Sequence, residues 1–352
     1  MSRQMVAQVL GVLVSPFLSF QRRFPLLFFI LRRIVVMAVM LFILGFTVFG
    51  LMALVPGDIV TRIMIEQMLA GGDMTPEQLA AMRAQLGLDQ PFYVQYVRWL
   101  GRALRGDLGV GLVTRAPVTF IMGQRLLNTL ILNSISLVIV TVTSFGLGIF
   151  FSSKAGTRTD VAVTFISLFL HSLPGLLILL LLQLFAFVTG LFPVTGFPRF
   201  PFAYDPAAFV PAYIHHTFLL VLSTFLIGIG SSLRTTRALM LDQLGQPYIT
   251  ALRTRGIKEW RIYFIHAFRN TLNPFITGTA VLLASLFGGA VILEIIFAFP
   301  GVGSLIFEAI IQQDVNLVMA NLMLVSALMI VGMAMADILL AVADPRIRYG
   351  RD

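Results

Sequence analysis

Six stretches of this chain stay apolar for at least the ~20 residues a helix needs to cross a hydrocarbon layer. They are Ile34 to Val55, Leu126 to Phe151, Val161 to Phe192, Phe209 to Leu233, Pro274 to Phe299 and Leu317 to Val342. No water inside a bilayer takes up backbone N–H and C=O groups, so a continuous apolar run must satisfy them itself, which a helix does. The expected fold is therefore all-α, a polytopic membrane protein with six transmembrane helices. Composition agrees: 58% of residues are hydrophobic and 12% charged, with a mean hydropathy of +0.93, whereas roughly a quarter of a soluble domain is charged. Gly146, Gly148, Pro174, Gly175, Gly228, Gly230, Gly288 and Gly289 fall inside the runs, where they suit close helix contacts or kinks. The stretch Val6 to Phe20 is too short to span and contains Pro16, so it is expected to lie in the interface with Arg22 and Arg23 at the headgroups.

Basic residues orient the spans, because short cytoplasmic loops collect Lys and Arg. Arg3, Arg22, Arg23, Arg32 and Arg33 fall on one side, followed by Lys154 and Arg158, a dense group from Arg234 to Arg269, and Arg346, Arg348 and Arg351. Short loops on the opposite side hold only Arg199. Both termini and the loop around Tyr248 are expected in the cytoplasm. The long segment Pro56 to Arg125 carries seven Arg and six acids, and long loops cross largely regardless of charge, so it is placed outside. The expected divisions are an N-terminal cytoplasmic or interfacial segment (1–33), a first span (34–55), an outer helical segment (56–125), a transmembrane core (126–342) with a cytoplasmic loop at 234–273, and a cytoplasmic tail (343–352).

Within the outer segment, Thr75-Pro76-Glu77 reads as a helix start, with Leu79, Met82, Leu86 and Leu88 following at roughly helical spacing. Asp89-Gln90-Pro91 opens a second amphipathic stretch through Tyr93, Tyr96, Val97, Trp99 and Leu100. Two short helices are expected there, either a lid over the bundle or a docking platform.

The loop from Tyr248 to Asn273 is basic, amphipathic and centred on a glycine. Pro247 suits a first helical turn, Ile249, Leu252 and Thr254 begin a face, and Gly256 suits the left-handed position that ends a helix. Helical spacing resumes from Lys258 to Phe268, placing Trp260, Tyr263, Phe264 and Ala267 on one side. Two short helices bent at Gly256 make a knob that a groove in another protein can grip; the alternative is an amphipathic loop lying on headgroups.

Enzyme chemistry has no foothold in the motifs. The chain lacks Cys, its four His are scattered, and neither H-E-x-x-H nor a phosphate-binding glycine loop occurs. The net charge of +9 reads as a membrane effect, not nucleic-acid affinity. No catalytic, cofactor or metal residue is expected. Glu294, an ionisable group inside an apolar span, points either to the pathway or its gate, or to a structural hydrogen bond. His171, just before Ser172-Leu173-Pro174, is placed to satisfy backbone groups that the proline frees; Pro300, Gly301 and Gly303 are enough to explain a bend after the fifth span; Asp337 is expected to be solvated or paired with Arg.

The loop resembles the signature loop of ATP-binding-cassette importer permeases, and the likeness extends from about Ile34 to Arg348. Within that superfamily the chain is similar to the first permease subunit of the dipeptide, oligopeptide and nickel group. The residues carrying the likeness are L-V-P-G-D at Leu54 to Asp58, L-G-L-D-Q-P at Leu86 to Pro91, Y-V-R-W-L at Tyr96 to Leu100, R-G-D-L-G at Arg105 to Gly109, and S-L-P at Ser172 to Pro174. R-T-R-G-I at Arg253 to Ile257, H-A-F-R-N-T-L at His266 to Leu272, F-A-F-P-G-V-G at Phe297 to Gly303 and D-P-R-I-R at Asp344 to Arg348 complete them. The resemblance implies a type I importer fold in a bacterial or archaeal cytoplasmic membrane, a second homologous permease, two ATPase subunits and an extracytoplasmic solute-binding protein. ATP and Mg are expected on the ATPases and not on this chain. Thr250, Ala251, Leu252, Arg253, Thr254, Arg255, Gly256 and Ile257 would form the coupling helix and its turn. The implied cargo is a peptide, with nickel chelates or oligosaccharides as alternatives. A stand-alone channel or secondary transporter would need a charged relay or paired internal repeats, neither of which the sequence displays.

Overall fold

A computed structural model describes residues 25–54, 59–200, 202–272, 274–275, 286–288 and 290–343. Among them the chain is helical, with one isolated bridge between Val110 and Pro117. Four helical segments among the described residues are long and apolar enough to cross a membrane, and a fifth span results if one sharply bent pair is counted as a unit. The chain divides into two compact units, residues 1–106 and 107–352.

The first unit contains α1 (Pro25–Leu54), α2 (Ile59–Leu69), α3 (Pro76–Leu86) and α4 (Phe92–Ala103). Thr75 caps α3 as the sequence predicts: its hydroxyl accepts from the Gln78 N–H, and the Gln78 side chain accepts from the Thr75 N–H. Gly87 closes that helix at φ 69°. On α4 the buried face is Tyr96 and Trp99, while Tyr93 and Val97 point outward, so the face is narrower than the sequence expectation. Tyr96 donates a 2.9 Å hydrogen bond to the Phe42 carbonyl, and its ring sits edge-on to Phe42 and Phe46 of α1. Helix α2 goes beyond the two short helices expected. Its sequence, I-V-T-R-I-M-I-E-Q-M-L, reads as a continuation of the first apolar run, and it buries Ile59 and Val60. Most of L-V-P-G-D lies outside the described residues.

The second unit is built on α5 (Val118–Ser152) and α8 (Pro206–Leu244), which pack along one another. Both outrun their apolar cores: α8 continues past Leu233 to Leu244, so the first part of the predicted loop is helix. Small residues let the helices approach. A Cβ on Gly148 would come 2.6 Å from Thr236 Cγ2, and one on Gly230 would come 2.5 Å from the Ser167 carbonyl oxygen.

The predicted span Val161 to Phe192 is instead two helices, α6 (Arg158–Ser172) and α7 (Gly175–Thr189), meeting at 93°. Pro174 lacks an N–H and disfavours helical backbone at the residue before it, and Leu173 is accordingly extended at ψ 131°. Each half has 15 residues, about 22 Å of helix, which is short of a ~30 Å hydrocarbon layer. Asp160, in the first turn of α6, is clamped by Arg237 of α8 through two 2.6 Å bonds and also accepts from the Gly156 N–H. His215 and His216 of α8 donate from their ring nitrogens to the carbonyls of Leu191 and Thr195, holding the loop after α7.

The loop beyond α8 contains α9 (Pro247–Thr254), the short α10 (Glu259–Arg261) and a π-helical turn at Ile262–Ala267. Much of the predicted fifth span, residues 276–285 and 289, lies outside the described residues. Its far end is α11 (Val291–Ile296), followed by α12 (Val302–Ile311) and α13 (Val315–Ala343). Buried Asp314 precedes α13 and accepts from the N–H groups of Leu317, Leu112 and Val113, tying the turn before α5 to the start of the last helix. The side chain of Asp337 is outside the described residues. Large apolar side chains such as Val142, Phe165, Phe187 and Val188 point outward, as lipid-facing positions require.

Candidate functional site

Two elbows carry the functional reading, one at Gly256 and one at Ala298. In the first, α9 closes in a Schellman motif: the Ile257 N–H bonds to the Leu252 carbonyl at 3.2 Å and the Gly256 N–H to the Arg253 carbonyl at 2.9 Å. Gly256 takes φ 72°, and nothing lies within 4 Å of where its Cβ would be. Thr250, Ala251, Arg253, Thr254, Arg255 and Gly256 are exposed, whereas Leu252 and Ile257 are half-buried. Arg253 spans the elbow to Glu259 with bonds of 2.9 and 3.3 Å; both groups are solvent-exposed, so the pair is worth only about 0–1 kcal/mol.

Beneath the exposed tip lies an apolar seat. Ile249, Ile262 and Ala267 are fully buried with Ile149 of α5 and Met240 of α8, and Leu252, Ile257 and Tyr263 pack on them. Phe268 sits edge-on to Phe145 of α5 at 5.2 Å. Asn270 donates to the Tyr248 hydroxyl, which in turn donates to Gln243 at the end of α8. The elbow is thus fixed to the two longest helices of the unit. One expectation needs correction: Trp260 and Phe264 point outward, and Ile262 and Ala267 form the buried side. A π turn repeats at i→i+5, which aligns residues 262 and 267 and rotates 260 and 264 off that face.

The second elbow uses the same closure. The Phe299 N–H bonds to the Glu294 carbonyl at 2.8 Å and the Ala298 N–H to the Ile295 carbonyl at 3.1 Å, with Ala298 in the left-handed position at φ 48°. The reversal therefore begins before Pro300 and the glycines that follow. Other elements take up its carbonyls: Gln183 of α7 donates to Ile296, the Gly196 N–H to Phe297, and Asn128 of α5 to Pro300.

Glu294 is enclosed within this bend at 1% exposure. Its Oε1 accepts from the Thr129 hydroxyl at 3.1 Å and its Oε2 from the Ser304 N–H at 2.7 Å, while Thr129 accepts from the Val302 N–H. The carboxylate therefore caps the N-terminus of α12, where free N–H groups and the helix dipole favour negative charge. A Cβ on Gly301 would fall on the carboxyl group itself. Beside the elbow is a cavity of about 440 Å³ lined by Arg125, Glu294, Phe299, Phe307 and Glu308, among others. Arg125 and Glu308 escape sequence reading because each is an ordinary surface charge until α5 and α12 bring them together. Among the described residues the His171 side chain makes no hydrogen bond.

Comparison with known proteins assigns this architecture. Residues 144–349 match the family described as "Binding-protein-dependent transport system inner membrane component", and residues 26–132 match the N-terminal module of such membrane components. The oligopeptide transport system permease protein AppB of Bacillus subtilis is 34% identical over 87% of this chain and 95% of its own length. A putative peptide transport system permease protein of Brucella abortus is 32% identical over 91% of this chain and 98% of its own. The metal-staphylopine import system permease protein CntB of Staphylococcus aureus is 30% identical over 92% and 98% respectively. With both elbows inside matches that together run nearly end to end, the chain belongs to the binding-protein-dependent inner membrane component family, as an ATP-binding-cassette importer permease of the group that includes the peptide permeases.

Proposed function

We infer that this chain forms half of a translocation pathway for peptides, paired with a second homologous permease, seated on two ATPase subunits and supplied by an extracytoplasmic solute-binding protein. Kinship with permeases named for peptides supports the cargo; that with CntB keeps a metal chelate as the second reading. Thr250 to Ile257 are the handle that the ATPases grip, with ATP and Mg bound on those partners. The observation carrying this reading is the combination at the Gly256 elbow of an exposed polar tip and a fully buried apolar base. An exposed tip offers side chains to a groove, and a base packed on α5 and α8 passes displacement into the bundle. The basic residues around the elbow and at both ends support a cytoplasmic handle and cytoplasmic termini. On this arrangement residues 1–33 and 343–352 and the loop at 234–273 lie inside, and 56–125 lie outside. Glu294 belongs to the far end of the pathway, where it holds the second elbow around the start of α12.

The test is disulfide trapping in the assembled importer. Thr254→Cys should cross-link to a cysteine introduced in the ATPase groove, with a yield that changes between nucleotide-free and ATP-bound states. A Gly256→Pro importer should insert normally, hydrolyse ATP and fail to accumulate peptide, because Pro cannot adopt the left-handed position. Full ATP-dependent uptake by that variant contradicts the handle.

A further inference from the structure

We propose that the cavity beside the Ala298 elbow is a peptide subsite in which Arg125 receives the C-terminal carboxylate and Glu308 the N-terminal ammonium. This assignment rests on the peptide reading above and adds the residues that hold the cargo.

Position comes first. Arg125 precedes Ile149 by 24 residues on the same helix, which is roughly 36 Å of helix, and Ile149 lies in the apolar seat of the Gly256 elbow. That separation exceeds the ~30 Å hydrocarbon layer, so the cavity and the handle sit at opposite faces of the membrane. A permease that takes cargo from a binding protein on the far side meets it at the cavity's end. The volume of about 440 Å³ falls within the ~300–1,000 Å³ of small-molecule sites.

The state of the two charges carries the chemistry. Arg125 reaches Glu308 Oε2 at 3.4 Å and the Ser304 hydroxyl at 3.4 Å, both longer than the ~2.7–2.9 Å of a firm charge-assisted bond. Their side chains are 25% and 47% exposed. The Arg237–Asp160 pair in the same unit is bidentate at 2.6 Å with its carboxylate 4% exposed, as a structural pair should be. A loose, open pair can exchange partners at little cost. Glu294 also lines the cavity, but it is 1% exposed and each of its oxygens accepts a hydrogen bond from within the bend, from Thr129 and from Ser304, so it does not face a ligand. The wall therefore offers one available cation and one available anion beside the exposed ring of Phe307. That set matches a zwitterion with a side chain; a neutral sugar uses neither charge, and a simple anion uses only Arg125.

The test uses the complete importer in proteoliposomes with its binding protein, fed Ala-Ala, N-acetyl-Ala-Ala or Ala-Ala amide. Each variant is compared with wild type on the same peptide, so that the binding protein's own preferences cancel. Glu308→Gln should lower uptake of Ala-Ala about tenfold, the scale of one charged hydrogen bond, and leave uptake of the N-acetyl peptide near the wild-type level. Arg125→Gln should do the same with respect to the amide, while Arg125→Lys and Glu308→Asp keep most of the uptake. Equal losses on free and blocked peptides would reduce the pair to a structural role and overturn the subsite, as would unchanged uptake in both variants. If wild type carries none of the three peptides but moves a metal chelate, the peptide reading itself falls and the subsite with it.

Discussion

The Gly256 and Ala298 elbows share one backbone device and differ in everything around it. Each ends a helix with the same two reversed hydrogen bonds and one left-handed residue. At Gly256 that residue is the one type for which the conformation costs little, and the space around it is empty. At Ala298 the conformation costs about 1–2 kcal/mol, and the surroundings impose it: Gln183, Gly196 and Asn128 hold the carbonyls, and Glu294 fills the bend. The first elbow is specified locally and leaves its tip exposed; the second is specified by the rest of the bundle and presents a cavity wall.

Substitutions can break this contrast. Gly301→Ala should do the most damage, because its Cβ lands on the Glu294 carboxyl group between packed helices. We expect a loss of about 3 kcal/mol, read as a large drop in the melting temperature of the purified complex. Glu294→Ala should cost about 2 kcal/mol by stranding the Ser304 N–H and the Thr129 hydroxyl, with Glu294→Gln retaining part of that; equal melting of all three proteins would argue against the capping role. Gly256→Ala, by contrast, should cost only about 1 kcal/mol in melting while reducing transport per ATP hydrolysed. A smaller effect of opposite sign is expected at the other elbow: Ala298→Gly should stabilise by about 0.5 kcal/mol, the relief of the left-handed conformation less the entropy of glycine. Destabilisation by that change would mean that the Ala298 methyl group contributes packing that outweighs its strain. Arg253→Ala, at an exposed pair, should shift melting least, by under about 0.5 kcal/mol.

Particular residues show how far reading the chain could go. Thr75-Pro76-Glu77, and Gly256 after Arg253, are signals contained within a few residues, and both helix ends appear where the local chemistry puts them. The break between α6 and α7 was only half legible: Pro174 marked it, but apolar content on both sides read as one span, and the 93° angle depends on what each half packs against. The face of the segment after Lys258 departs from regular helical spacing because a π turn changes the helical period, and nothing in I-Y-F-I-H-A announces that change. Glu294 stood out as an ionisable group in an apolar run, yet its partners Thr129 and Ser304 lie 165 and 10 residues away.

The amino-acid order alone determined that this chain enters a membrane as helices, where one of them must end at a glycine, and which family it resembles. These follow from the solvation of each segment by itself and from backbone preferences spanning a few residues. Tertiary structure alone decided which charges meet, tightly at Asp160 and Arg237 and loosely at Arg125 and Glu308, and that an alanine would accept a left-handed turn. Such outcomes depend on distances between segments far apart in the chain, which are set only once the helices have packed.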